Sequence, residues 1–489
     1  MHYVIIGLYI TALLFTFLFS LAQLHLTVHY LRRLRRNGTK SDAVLPAMED
    51  LPIITVQLPI YNELYVVERL IDCVAGLEYP KDKLEIQVLD DSTDETIELT
   101  AKKVAEWQAK GLDIQHVRRP ERKGFKAGAL QYGLEIAKGE FLAIFDADFL
   151  PKKDWLLQTV PNFSRPEVGV VQTRWGHINK DYSLLTRLQA FALDAHFTIE
   201  QGGRNEAHSF INFNGTAGMW RKKCILDAGG WSADTLTEDL DLSYRAQMKG
   251  WQFEYLEHVE APAELPIFMP AIKSQQYRWN KGGAQTARKN LGKVMGHSLK
   301  LGNKFHAIFH LLNSTVFLAI LTAGILSIPM LFIKVSYPEF NLLFNLGSIF
   351  LVGFASIMLF YWVASRRLYP NQARTYFWAN FPLFLTMSMG LSLHNAIAVT
   401  EGLMGKKSPF IRTPKFNVQD KKEGIAGNIY VKPTITWLTV FEGILSLYFI
   451  FGIAAGFWLG DYGLLLFHIM LAFGYGLIFY HSIKPLKYV

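Results

Sequence analysis

The sequence predicts an α/β domain built on a mainly parallel sheet, carried between α-helices long enough to cross a membrane. Three observations lead there. Half of the 489 residues are apolar and only 19% are charged, below the roughly 25% of soluble domains. The apolar residues gather in span-length runs at the two ends of the chain. Between them, from Asn37 to Lys304, short apolar strands alternate with longer amphipathic stretches, the pattern of strand–helix–strand units.

Composition narrows the class. A mean hydropathy of +0.15 and only 19 prolines, with no glycine period, exclude a disordered or collagen-like chain. An ordinary soluble enzyme is disfavoured too. Cys73 and Cys224 are too few for a disulfide scaffold and lack metal-ligand spacing. The net charge of +8 suits nucleic acid, an anionic substrate or a cytoplasmic membrane face. The positions of the charges decide among these.

Tyr3 to Ala22 is an uncharged run long enough for a bilayer core of ~30 Å. Arg32, Arg33, Arg35 and Arg36 follow it, the reverse of a cleaved signal peptide. It reads as an uncleaved transmembrane helix over 1–31 with its C-terminal side cytoplasmic. Strands are expected at Ile53–Leu58, Leu84–Leu89, Ile114–Arg118, Phe141–Phe145 and Val168–Gln172, with helices at Glu63–Gly76, Glu95–Lys110 and Phe125–Ala137. They make a cytoplasmic domain over 50–265, followed by an amphipathic interface segment over 266–304. Five apolar blocks follow within 305–489: Ile308–Ile333, Leu342–Ala364, Tyr376–Thr400, Ile435–Leu459 and Tyr462–Ile483. If Tyr376–Thr400 crossed, Lys406, Lys407, Arg412 and Lys415 would lie outside, against the positive-inside rule. That block, with Asn380, Pro382, His394 and Asn395, is expected to lie at the interface or to re-enter, leaving five crossings.

Ligands of open parallel sheets bind beyond the carboxyl ends of the strands. The first strand runs into Pro59-Ile60-Tyr61-Asn62-Glu63, without a dinucleotide or phosphate-loop fingerprint. The second ends at Asp90-Asp91-Ser92-Thr93, where Ser92 or Thr93 is of a type that caps a helix. The fourth runs into Asp146-Ala147-Asp148, two carboxylates able to turn toward one cation. The basic loop from Arg118 through Lys126, leading into Gly128, suits a diphosphate at a helix start. Thr237-Glu238-Asp239-Leu240-Asp241 packs three acids together, which raises at least one pKa unless cations offset it. A carboxylate there would serve as general base to a sugar hydroxyl. Gln275-Gln276-Tyr277-Arg278-Trp279 lies in a basic segment approaching the membrane. Glu442, the only acid inside a C-terminal block, suits either a polar channel wall or a buried structural pair.

The stretches VLDDSTD, KGFKAGAL, AIFDADF, FNGTAGMW, TEDLDL, AGGW and QQYRW, in this order, resemble the family 2 membrane glycosyltransferases of the cellulose-synthase superfamily. The middle of the chain is most similar to the cellulose-synthase-like A and C enzymes, which make β-mannan, glucomannan and β-glucan. The resemblance runs from about Thr55 to Asn290, and Asn280 departs from the usual pattern after QQYRW. Farther on, Phe410-Ile411-Arg412-Thr413-Pro414-Lys415 resembles the gating loop of that superfamily, within a loop of 405–433. The resemblance implies a GT-A-like nucleotide-sugar-binding domain. Tyr61, Glu63 and Asp91 would contact the nucleoside, Lys126 and Arg278 the donor diphosphate, and Asp146 and Asp148 the nucleotide and a Mg²⁺ or Mn²⁺ ion. Asp239, beside Glu238, would be the base. Asn214, Gly215, Thr216 and Trp279 would hold the acceptor, and Phe410, Arg412, Thr413 and Lys415 would close over the donor. The implied activity is inverting, processive synthesis of a β-linked, β-1,4 polysaccharide from a UDP- or GDP-hexose, with passage of the product across the membrane. Transfer of one sugar to a lipid is the alternative. Nucleic acid is not needed to explain the charge.

Overall fold

A computed structural model describes residues 2–36, 47–340, 347–408, 411–418 and 435–484. Seven strands form one sheet: β1 (Ile54–Ile60), β2 (Leu84–Asp90), β3 (Asp113–Val117), β4 (Phe141–Ile144), β5 (Val168–His177), β6 (Gly218–Arg221) and β7 (Gln252–Ala263), in the order β3-β2-β1-β4-β6-β5-β7. β1 to β4 are mutually parallel. β6 is antiparallel to both of its neighbours, and β7 is parallel to β5. This alternation brings the carboxyl ends of β1, β2, β4, β5 and β7 and the amino end of β6 to one edge.

The central strands read as continuous apolar runs because helices cover both faces of the sheet. Every residue of β2 and β4 is buried. Polar exceptions are paired between strands: Gln57 Nε2 donates to Gln87 Oε1 at 3.0 Å, and Thr55 Oγ1 to Glu85 Oε2 at 2.6 Å. The helices Val67–Ala75, Thr96–Ala109 and Phe125–Ile136 stand where periodicity places them. The first begins later than expected, because a turn in which Val66 and Val67 donate to the Glu63 carbonyl precedes it. β6 and β7 were not expected. β6 is four residues long, and β7 carries Glu254, Glu257 and Glu260, so neither has a strand's apolar signature. β5 continues past Gln172 to His177, and its pairing with β7 changes register between Thr173 and Arg174. Such irregularities re-aim side chains.

Among the described residues five helices are long and apolar enough to cross a membrane: His2–Arg36, Asn313–Ser336, Phe350–Leu368, Trp437–Leu459 and Leu465–Ile483. The chain is thus a membrane protein by its helices. The block Tyr376–Thr400 forms Ala373–Gly390 and Ser392–Met404, bent by 51° at their junction, the geometry of a broken span or of a re-entrant segment. The helix beginning at His2 runs beyond 31 to Arg36, and its C-terminal end docks on the domain. Tyr30 Oη and Arg367 Nε both donate to Glu257 Oε1 at 2.8 Å, joining this helix, Phe350–Leu368 and β7. The Met269–Gly296 helix carries the QQYRW residues and packs along Ser392–Met404. Lys273 on it meets Glu442 at 2.6 Å, with Ser482 Oγ at 2.8 Å. Of the two readings of Glu442, the structure holds the buried pair.

Candidate active site

The loops after β1 and β2 brace each other. Asn62 takes a left-handed conformation (φ 55°). Its backbone N–H donates to Ser92 Oγ, and its side-chain Oδ1 accepts from the Thr93 N–H, both at 2.8 Å. Ser92 and Thr93 therefore tie the loops together, and Asp94 Oδ1 accepts from the helix-start N–H of Thr96. The capping role expected of Ser92 or Thr93 falls to Asp94. Asp91 is gripped by Arg119 through Nε at 2.7 Å and Nη2 at 2.5 Å. Arg122 lies over the Tyr61 ring, 3.3 Å from its centroid. A ring face and a planar cation thus sit beside a carboxylate, a suitable edge for a nucleobase.

β4 delivers the next pair. Ala147 is 1% exposed, so the Asp146 and Asp148 side chains on either side of it reach the cleft. Lys126 Nζ lies 2.5 Å from Asp146 Oδ1 and donates to the Gly215 carbonyl at 2.9 Å. Lys415 Nζ lies 2.7 Å from Asp148 Oδ1. Each carboxylate is met by an ammonium, so the pair accepts positive charge from the cleft. Two carboxylates open to a substrate diphosphate suit Mg²⁺ or Mn²⁺, which take oxygen ligands and complete their shells with phosphate and water. Among the described residues no cluster of three or more His, Cys, Asp or Glu is placed to hold a metal. Thr216 is buried behind Asp146, whose N–H donates to Thr216 Oγ1 at 2.9 Å. It shapes the wall from behind rather than lining it.

Glu238 and Asp239 begin the helix Glu238–Met248. Asp241, the third acid, faces away: it is buried against Arg245 at 2.9 Å, Lys289 at 3.0 Å and Asn290 at 2.8 Å. The other two face the cleft. Burial, then the neighbouring Glu238 charge, pushes the Asp239 carboxyl up to about 7. Burial raises Glu238 as well, against the pull of Lys126. Burial works against the Lys126 ammonium, but Asp146 and Glu238 outweigh it and its pKa is raised. Gly215 (φ +79°) crosses directly over Asp239: a Cβ there would lie 3.0 Å from Asp239 Oδ2.

The roof comes from the helix Met269–Gly296 and the segment 411–418. Arg278 Nη2 donates to Thr413 Oγ1 at 2.8 Å, and Trp279 faces Trp175 with ring centroids 6.5 Å apart. Arg412 and Lys415 reach Glu63 at 2.8 and 3.5 Å. Burial raises the Glu63 carboxyl despite these two cations. At the end of β7, Glu264 accepts the Phe416 N–H at 2.8 Å and the Asn417 N–H at 3.1 Å. Arg69 bridges Glu264 and the Asn417 side chain. One cleft thus gathers Tyr61, Glu63, Asp91, Lys126, Asp146, Asp148, Asn214, Gly215, Glu238, Asp239, Arg278, Trp279, Arg412, Thr413 and Lys415. Phe410 lies outside the described residues. Sequence reasoning missed Trp175 and Glu264, which sit on or just after the unforeseen stretches of β5 and β7, and gave Arg122 no role of its own.

The profile of glycosyl transferase family 2 matches residues 55–225. That of glycosyl transferase family group 2 matches residues 141–400, more than half of the chain. The chain belongs to that family. As a family 2 glycosyltransferase it is 40% identical over 329 residues to a probable glucomannan 4-beta-mannosyltransferase 4 of Oryza sativa subsp. japonica, covering 62% of this chain and 59% of the relative. It is 42% identical over 264 residues to glucomannan 4-beta-mannosyltransferase 9 of Arabidopsis thaliana, covering 53% and 50%. The chain thus spans about half to three-fifths of the length of the curated relatives it matches. A mannosyltransferase of Pyrobaculum calidifontis, solved in complex with GDP-Man and Mn2+, superposes with a TM-score of 0.53 at 21% identity, covering 82% of this chain and all of that one. That likeness shows the shared GT-A-like fold.

Proposed function

We propose that this family 2 glycosyltransferase is an inverting hexosyltransferase that extends a β-linked polysaccharide from a nucleotide sugar. The observation that carries the reading is Asp239: a half-buried carboxyl whose pKa is raised to about 7, lining the same cleft as Asp146, Asp148, Lys126 and Arg278. A base matched to neutral pH shares its cleft with groups suited to a diphosphate.

In the proposed reaction Asp239 takes the proton of an acceptor hydroxyl as its oxygen bonds to the anomeric carbon. The bond from that carbon to the diphosphate breaks, and the nucleoside diphosphate leaves with the electron pair. Attack opposite the leaving group inverts an α-linked donor to a β-linked product. Arg278 and Lys126 stabilise the charge growing on the diphosphate, where exclusion of water strengthens their effect. Asp146 and Asp148 would hold Mg²⁺ or Mn²⁺, which supplies further positive charge to the diphosphate. Tyr61 and Asp91, with Arg122, receive the nucleoside, and Trp279 offers a ring face to the acceptor's terminal sugar. The relatives' naming as glucomannan 4-beta-mannosyltransferases supports a β-1,4 product. We place the domain in the cytoplasm, because Arg32 to Arg36, Arg366, Arg367, Lys406 and Lys407 adjoin the apolar helices on the domain's side. The product is passed into the membrane helices beside Trp279.

Membranes given labelled GDP-mannose, UDP-glucose and related donors test this, with the product digested by linkage-specific glycanases. A β-linked polymer is expected, and it should vanish in Asp239→Asn. A single glycolipid would replace the polymer reading with lipid glycosylation. No transfer from any donor would refute catalysis.

A further inference from the structure

Behind the Asn214 wall lies a row of charges that the transfer chemistry above does not use. The helix Leu184–Ala195 opens into one wide π turn over His196–Glu200 before Gln201–Glu206 tightens again. Such turns are rare and concentrate at functional sites. Here His196 Nδ1 meets Glu200 Oε2 at 2.8 Å, while His196 Nε2 lies 3.3 Å from Asn214 Oδ1. The other Glu200 oxygen accepts from Arg204 Nη2 at 2.8 Å. Glu200 and Arg204 are 5% and 2% exposed. Burial tends to raise the Glu200 carboxyl, but His196 and Arg204 overcome it and hold it well below the usual carboxylate range.

The hydrogen-bond inventory assigns the Asn214 amide. Its Oδ1 also receives Asn212 Nδ2 at 2.7 Å, and its backbone N–H donates to Gln172 Oε1 at 3.0 Å. Asn212 Nδ2 and His196 Nε2 both approach Oδ1, while Nδ2 keeps only a long 3.4 Å contact to the Asn212 carbonyl. The amide NH₂ is therefore the end left for the cleft that Asn214 lines. Stability alone is a weak reason for a buried His–Glu–Arg row, since apolar replacement of such groups is often neutral or stabilising.

We propose that His196, whose two ring nitrogens bridge Glu200 and Asn214, is a positioning residue that turns the Asn214 amide so that its N–H donates to a hydroxyl oxygen of the acceptor sugar. This rests on the glycosyl transfer proposed above.

The test is a double-mutant cycle on the full-length protein in nanodiscs, read as KM for cellohexaose or mannohexaose and, separately, KM for the donor. His196→Ala should raise the acceptor KM about tenfold, the scale of one lost hydrogen bond, and leave the donor KM unchanged. His196→Gln, which keeps one N–H, should recover part of that loss. In an Asn214→Ala background His196→Ala should add nothing further. If His196→Ala does not fold, Glu200→Gln replaces it in the same cycle with the same expectation. Additive effects, or a rise in donor KM equal to that for acceptor, would overturn the inference while the wild type still transfers hexose. A wild type that transfers no hexose overturns the proposed function and this inference with it.

Discussion

Asp239 is placed where its own chemistry costs stability. Its carboxyl is raised from 3.8 to about 7, so the folded state keeps a proton that the unfolded chain releases at lower pH. That stability is fully present below about 4 and is lost as pH rises through about 7. The base forms over the same window. Wild-type kcat/KM should therefore fall as pH drops below about 7. Asp239→Asn should lower kcat by about 10²–10⁴-fold while raising Tm at pH 8, with the Tm difference shrinking at pH 5. Melting curves of both proteins at the two pH values check the sign. Gly215 belongs at the same scale. A Cβ at its φ of +79° would press on Asp239 Oδ2 at 3.0 Å, so Gly215→Ala should cut kcat more than about tenfold, the effect expected of a misplaced base. Circular dichroism should show the fold retained.

At the scale of elements, the segment 411–418 is held over the cleft by main-chain hydrogen bonds as well as by charges. Glu264 receives the N–H groups of Phe416 and Asn417, and Arg69 clamps both ends of that contact. Glu264→Gln and Arg69→Ala should loosen the segment without touching Asp239. The expected outcome is a several-fold rise in donor KM with a smaller change in kcat, measured by initial rates across donor concentrations. Strand ends were legible where a buried run led straight into acids, as in Phe141 to Asp148. Trp175 and Glu264 were not. β5 continues through the polar Thr173-Arg174, and β7 is stabilised by pairing with a strand 84 positions earlier (Val168↔Gln252) rather than by apolar periodicity. The partners of Arg119 and Arg122 were likewise hidden, because Asp91 and Tyr61 meet them across β2 and β1.

The whole molecule joins a charged domain to the apolar helices through contacts such as Tyr30–Glu257–Arg367, and Lys281–Glu401 ties the Met269–Gly296 helix to Ser392–Met404. With five crossings, Lys407→Cys should label only after the membrane is permeabilised, and Tyr462→Cys should label from outside in intact cells. Chelation should abolish transfer if Asp146 and Asp148 hold a divalent ion, and added Mn²⁺ or Mg²⁺ should restore it in wild type but not in Asp148→Asn. The order of apolar and charged segments, the strand–helix alternation and the acids after β2 and β4 were set by the sequence alone, because burial and backbone periodicity act locally along the chain. Tertiary structure decided which acids share the cleft, that Asp241 turns away, that Thr216 supports Asp146 from behind and that Glu442 is paired. Those outcomes depend on contacts between residues tens to hundreds of positions apart, where packing and desolvation, rather than local pattern, set each group's neighbours.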